Sequence, residues 1–166
     1  MPRPLLAVDA IMAILPATVP RITELTEGLT RADLHAAPSP GEWSVNDVLA
    51  HLRACQEVLG GIVVRILAED HPAWKGMSPR TWQRRSGYHE WEFRPALEAF
   101  AEQRAEFLAV VEPLVPADWQ RTASVTGMVG DVHEYTAQFY GDWLAGHERA
   151  HLKKLPRVIG TVLESS

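Results

Sequence analysis

The stretch GDWLAGHERAHLKKLP contains His147-Glu148-Arg149-Ala150-His151, which fits the pattern H-E-x-x-H. Imidazoles four positions apart share one face of an α-helix, so both rings can turn toward one cation. A third candidate is His51, which falls beside Val48, Leu52 and Cys55 in GEWSVNDVLAHLRAC, on or next to an apolar stripe. Two histidines from one helix and one from another supply three neutral nitrogen donors and leave a fourth position open. That is the arrangement of a catalytic metal site rather than a closed structural one. Three core histidines hydrogen-bonded to backbone, water or carboxylates would leave the same spacing, and at this level both readings stand.

The pattern does not by itself make a protease. In a zincin the Glu activates water and a third ligand lies downstream. The 15 residues after His151 contain no histidine, and Glu164 is their sole side-chain carboxylate. The longer metzincin pattern fails too, with Lys154 in place of Gly and Arg157 in place of His. Glu148 sits about 100° round the helix from His147; it is the one candidate general base, and a solvated position is expected for it. Cys55, one turn beyond His51, reads as inert core. Trp43 reads as a hydrophobic staple before a helix, and Tyr140 and Trp143 as core or pocket wall.

These residues need helices to position them. Ser44 and Asp47 form a capping-box pattern, and Val48, Leu52, Cys55, Leu59, Ile62 and Ile66 recur at steps of three and four up to about Asp70. Adjacent Gly60 and Gly61 permit a close helix approach. A helix from about Pro95, at its first position, to about Glu112 carries Leu97, Phe100, Phe107 and Val111. A third is expected from Asp131, capped with Glu134, to a stop at Pro156, its inward face traced by Val132, Thr136, Phe139, Trp143, His147, Ala150 and His151. A first helix is expected in LLAVDAIMAILPATVPRITELTEGL, kinked or split by Pro16 and Pro20. RADLHAAPSPGEW reads as a connection, and RTASVTGMV as a short extended piece. Four amphipathic helices imply an all-α four-helix bundle.

The long segment HPAWKGMSPRTWQRRSGYHEWEF, read as a loop, holds Trp82, Arg84, Arg85, Tyr88, His89 and Trp91. Folded over the histidines, Arg85 and His89 would meet an anionic or thiol-bearing substrate; packed on the bundle end or a partner copy, they would not. The 166 residues, 46% hydrophobic and 22% charged, suit one soluble domain spanning 1–166. A net charge of −5 with scattered basic residues argues against nucleic acid as partner. The single Cys55 excludes an intrachain disulfide, and no run approaches the roughly 20 apolar residues of a membrane helix. The N-terminal apolar run, broken by Asp9 and Pro16, reads as part of the fold, and the location expected is cytoplasmic.

GEWSVNDVLAHL together with the late HERAHLKKL resembles the DinB-like (DinB/YfiT-like) family of metal-dependent, damage-inducible proteins. The resemblance spans most of the chain and implies an up-down-down-up bundle, commonly a homodimer. It implies His51, His147 and His151 as ligands of a divalent metal, Zn²⁺ or Ni²⁺. It further implies transfer of a low-molecular-weight thiol to a small electrophile. Metal-dependent hydrolysis, or a non-catalytic metal- or ligand-binding stress protein, are the alternatives.

Overall fold

The computed structural model describes residues 2–166. Its helices are α1 (Val8–Thr26), α2 (Arg31–His35), α3 (Val45–Cys55), α4 (Gly61–Ala68), α5 (Pro79–Ser86), α6 (Phe93–Val111), α7 (Pro116–Trp119) and α8 (Ala137–Glu164). A π-helical turn, Gln56–Gly60, joins α3 to α4 without a break. Thus α1, α3–α4, α6 and α8 are the four members of a bundle in which α1 lies along α8 and α3 touches both α6 and α8. A small sheet caps one end: β1 (Ala73–Lys75) runs parallel to β2 (Thr122–Thr126), and β2 antiparallel to β3 (Val132–Thr136).

The start of α3 is as the sequence predicts. The Ser44 hydroxyl accepts from the Asp47 amide at 3.1 Å while the Asp47 carboxylate accepts from the Ser44 amide at 2.9 Å. Such a cap is worth about 1 kcal/mol and fixes where the helix begins, hence where His51 lands.

The core is two apolar clusters. One gathers Ile11, Leu15, Leu59, Val63, Phe107, Trp119 and Leu144; the other gathers Ile22, Leu49, Leu52, Phe93, Phe100 and Leu155. Between them, at the same height on all four helices, lie Thr18, Gln56, Arg104 and Glu148, each buried. Glu148 forms an ion pair with Arg104 and accepts from the Thr18 hydroxyl at 2.6 Å. Arg104 also donates to the Leu15 carbonyl at 2.6 Å and to Gln56 Oε1 at 2.7 Å. A Cβ at Gly60 would collide with the Gln56 side chain and come within 3.3 Å of the Phe107 ring, whereas Gly61 faces open space. The close approach expected at the glycine pair therefore belongs to Gly60 alone.

Several expectations are corrected. Pro16 and Pro20 do not split α1, which is continuous from Val8 to Thr26, and Pro156 does not stop α8. All three prolines are exposed, so the carbonyl each leaves without a donor can bond water. Residues 132–136 are not helix but strand β3; α8 starts at Ala137, where the Thr136 hydroxyl accepts from the Phe139 amide at 3.1 Å. Asp131 and Glu134 mimic a capping box, while residues 132–136 are held extended by antiparallel pairing with β2, which no alternation in the sequence announces. The extended piece in RTASVTGMV is β2. α6 begins at Phe93, which puts Pro95 at its third position, and RADLHAAPSPGEW includes α2, capped by Thr30. The core face of α8 is Ala137, Tyr140, Gly141, Leu144, Ala145 and Glu148, with Trp143 and Ala150 exposed. The stripe through Phe139, Trp143, His147 and Ala150 faces a cavity instead.

Candidate functional site

His51, in the second turn of α3, meets His147 and His151 on the facing side of α8. Their Nε2 atoms approach at 2.6 Å (His51 to His147) and 3.2 Å (His147 to His151), and the three donor atoms lie within 4.8 Å of one another. Three ligands around a tetrahedral Zn²⁺ stand about 3.3 Å apart, so a small closure or opening of rings converts this cluster into a coordination face. Its chemistry fits a cation as well. Three nitrogens directed at each other cannot all be satisfied by protons, whereas one divalent ion meets all three lone pairs. The His51 Nδ1 donates to Gln83 Oε1 at 3.1 Å, which fixes the proton there and leaves Nε2 as a lone-pair donor.

Burial pushes all three imidazoles below the ordinary histidine range. His151 is held down to about 4, by burial first and then by His147, His51 and Lys154. For His51 the neighbouring His147 and Arg80 charges add to burial, against the hydrogen bond it donates to Gln83; for His147, Arg80 and Lys154 add to it. The cluster is therefore neutral at pH 7, as metal ligation requires. The Trp43 ring covers it, tilted over His51 at 4.9 Å between centroids and stacked on His151 at 6.1 Å. Trp43 also packs on the second apolar cluster, so it fills both the structural and the site position.

A cavity of about 760 Å³ opens beside His147. Tyr140 and Trp143 line it, together with Trp74, Tyr135 and Phe139. A second cavity, also about 760 Å³, is lined by Arg80, Arg84, Gln83, His89, Asp47 and Trp43, and Ser78 borders both. His89 therefore shares a cavity with Trp43 and Gln83, the neighbours of the histidine cluster, while Arg85 is exposed and lines neither cavity. Glu148 is not solvated: it is fully buried, its oxygens bonded to Arg104 and Thr18. Cys55 stands 3.6 Å from His51 Nε2, with its thiol pushed up to about 12 by burial and then by the Glu148 charge; it is a neutral neighbour of the cluster.

The sequence reading missed Gln83 and Arg80. Both sit on α5, inside the segment taken for a loop. Its signal was Ser78-Pro79: the Ser78 hydroxyl caps the helix by accepting from the Arg80 amide at 3.2 Å, and Pro79 opens it. That segment is pinned to α3. The Arg53 guanidinium lies over both the Tyr88 and Trp91 rings, at 3.9 and 4.6 Å, and Asn46 donates to the Trp91 carbonyl at 3.1 Å.

Fold and site together define a four-helix bundle whose second and last helices bring three histidines to one point. The chain belongs to the DinB superfamily, whose family model matches residues 15–155. Among solved structures it is similar to YfiT from Bacillus subtilis, described as a probable metal-dependent hydrolase with an unusual four-helix bundle topology. The match has a TM-score of 0.69 at 19% identity and covers 96% of this chain and 93% of that one. At that identity the likeness establishes the fold. No curated protein matches the sequence. Among the described residues no helix is long and apolar enough to cross a membrane.

Proposed function

We propose that this chain is a metal-dependent enzyme acting on a small molecule, with hydrolysis as its reaction. The observation that carries the reading is the convergence of the His51, His147 and His151 Nε2 atoms at the edge of the aromatic cavity. These three side chains are the proposed ligands, and a donor set of three imidazoles suits Zn²⁺ or Ni²⁺. A bound divalent ion supplies Lewis acidity, acidifying water or a thiol and polarising a carbonyl. The chain's own residues do the rest. Gln83 holds the His51 tautomer, Trp43 limits access of water to the cluster, and the cavity wall of Tyr140 and Trp143 sets the substrate body against His147. Glu148 is committed to Arg104 and takes no proton in this scheme. The likeness to a protein described as a metal-dependent hydrolase supports it.

Thiol transfer is the second reading, and the cavity lined by Arg80, Arg84 and His89 is the observation that favours it. It could hold an acidic low-molecular-weight thiol while the aromatic cavity holds an electrophile. The first experiment is metal content by mass spectrometry on untagged protein, wild type beside His51→Ala. About one ion per chain, lost in the variant, is expected; no ion in either sinks the metal reading. The loaded protein is then given aryl esters and amides, and separately thiol–electrophile pairs. Turnover of esters or amides without thiol supports hydrolysis, turnover only with thiol replaces it by transfer, and none with either favours a binding protein.

A further inference from the structure

The aromatic cavity has a charge pattern that its role at the histidines does not require. Among the described residues, the charged ones lining it are Arg3 and Asp142. They face each other as a closed fork, Arg3 Nη1 and Nη2 donating to the two Asp142 oxygens at 2.9 and 3.0 Å. Asp142 is buried, 5% exposed, and also accepts from the Leu6 amide at 2.9 Å. Leu6 is tied back in turn, its carbonyl accepting from Gln138 Nε2 at 2.8 Å. The segment before α1 is thus fastened along the cavity with the Arg3 guanidinium already neutralised.

The remaining wall is aromatic. Tyr140 and Trp143 lie nearly parallel, 25° apart, Tyr135 stacks on Phe139 with centroids 4.2 Å apart, and Trp74 tilts toward Tyr140. Burial pushes the Tyr140 phenol up to about 12, so it is a neutral donor, and its hydroxyl bonds to no other described residue. A cavity of about 760 Å³ is within the usual range for a whole small-molecule ligand.

Resting on the proposed small-molecule reading, we propose that this cavity selects an uncharged, flat, aromatic substrate body, and that the Arg3–Asp142 fork is its specificity device. A ligand carboxylate could recruit Arg3 only by stranding the buried Asp142, and a ligand cation could recruit Asp142 only by displacing Arg3 and the Leu6 amide. Losing Arg3 leaves the buried Asp142 carboxylate with the Leu6 amide alone, and exchanging Arg3, whose side chain is 58% exposed, for a ligand cation only trades one pair for another while desolvating the ligand, so a neutral ring is preferred. His147 and Ala150, one turn apart on the same wall, place the substituent of that ring at the histidine cluster.

The test uses three probes of one shape, 2-naphthamide, 2-naphthoate and 2-(aminomethyl)naphthalene. Each is titrated calorimetrically into the full-length chain, stripped of metal so that no probe coordinates an ion. The amide is expected to bind at least about tenfold tighter than either ion. Ala150→Trp, which fills the cavity from an exposed helix position, is expected to abolish amide binding; Met77→Trp fills it from another exposed lining position should the first variant not fold. Arg3→Met is expected to leave the amide within about twofold while favouring the ammonium probe over the carboxylate by at least about fivefold, because Asp142 is then unmasked. Naphthoate binding as tightly as the amide overturns the proposal. So does unchanged amide binding in a folded cavity-filling variant, or no amide binding at all. The titration needs no ion, so a chain that binds the amide but no metal would sink the metal reading alone.

Discussion

Replacing Arg104 by Met tests whether the polar layer in mid-bundle is a paired charge. Arg104 and Glu148 are 3% and 0% exposed, so neither charge can reach water in the folded chain. Methionine matches most of the arginine's volume, which confines the change to electrostatics and hydrogen bonds. It removes the ion pair and the bonds to Leu15 and Gln56, and leaves the Glu148 carboxylate with Thr18 alone. Breaking a buried pair from one side costs about 3–5 kcal/mol. Domains of this size unfold with about 5–15 kcal/mol, so roughly a fifth or more of the total is at stake. The melting temperature should fall by about 6–20 °C. Urea unfolding of wild type, Arg104→Met and the double variant Arg104→Met/Glu148→Met gives the decisive comparison. The double variant buries no charge and should return to within about 1–2 kcal/mol of wild type. A single variant within about 1 kcal/mol of wild type, or a double variant less stable than the single, would refute the layer as an ion pair held out of water.

Other outcomes are equally open to measurement. Gln83→Ala should weaken metal binding about 10–100-fold in a competition assay with a chromophoric chelator while barely moving the melting temperature, since it frees the His51 ring without opening the core; unchanged affinity would remove Gln83 from the site. Glu148→Gln should destabilise the fold yet keep kcat/KM of the folded, metal-loaded enzyme within about tenfold, whereas a loss of more than about 10² would restore Glu148 as a base. His151 is held down to about 4 in the folded chain, and its ordinary value is 6.5. Between those values the unfolded chain binds more protons, so the stability of metal-free protein should rise with pH across that window and level off above it. Urea midpoints taken from pH 4 to 8 check this, and a flat profile below pH 6.5 would contradict it.

The histidine cluster was legible because its signals are local. A capped helix start fixes the phase of His51, and a four-residue spacing fixes that His147 and His151 share a face. What joins them is not local. Gln83 reaches His51 only because α5 folds back on α3, held by Arg53 against Tyr88 and Trp91; in sequence it is one polar residue among TWQRRS. The core face of α8 was misread because its members include Gly141, Ala145 and Glu148. Small residues mark close packing, and a charged one is tolerated there only because Arg104 arrives from α6. The aromatic stripe looked more like a core and is a cavity wall. The prolines misled for a related reason: the cost of a lost donor depends on whether water can reach the freed carbonyl, which hydrophobic spacing does not reveal by itself.

The division of α8 into two faces has a consequence for how such a protein can change. Trp143 and Ala150 meet the cavity, while Leu144, Ala145 and Leu155 hold the bundle, and only Phe139 and Tyr140 touch both. Ligand preference and foldedness are therefore nearly separate traits, written on the same few turns. A lineage, or a directed-evolution library, can explore new occupants by altering one set while the scaffold's tolerance to mutation stays unspent. The histidines stand at the seam between the two faces, where either kind of change still finds them in place.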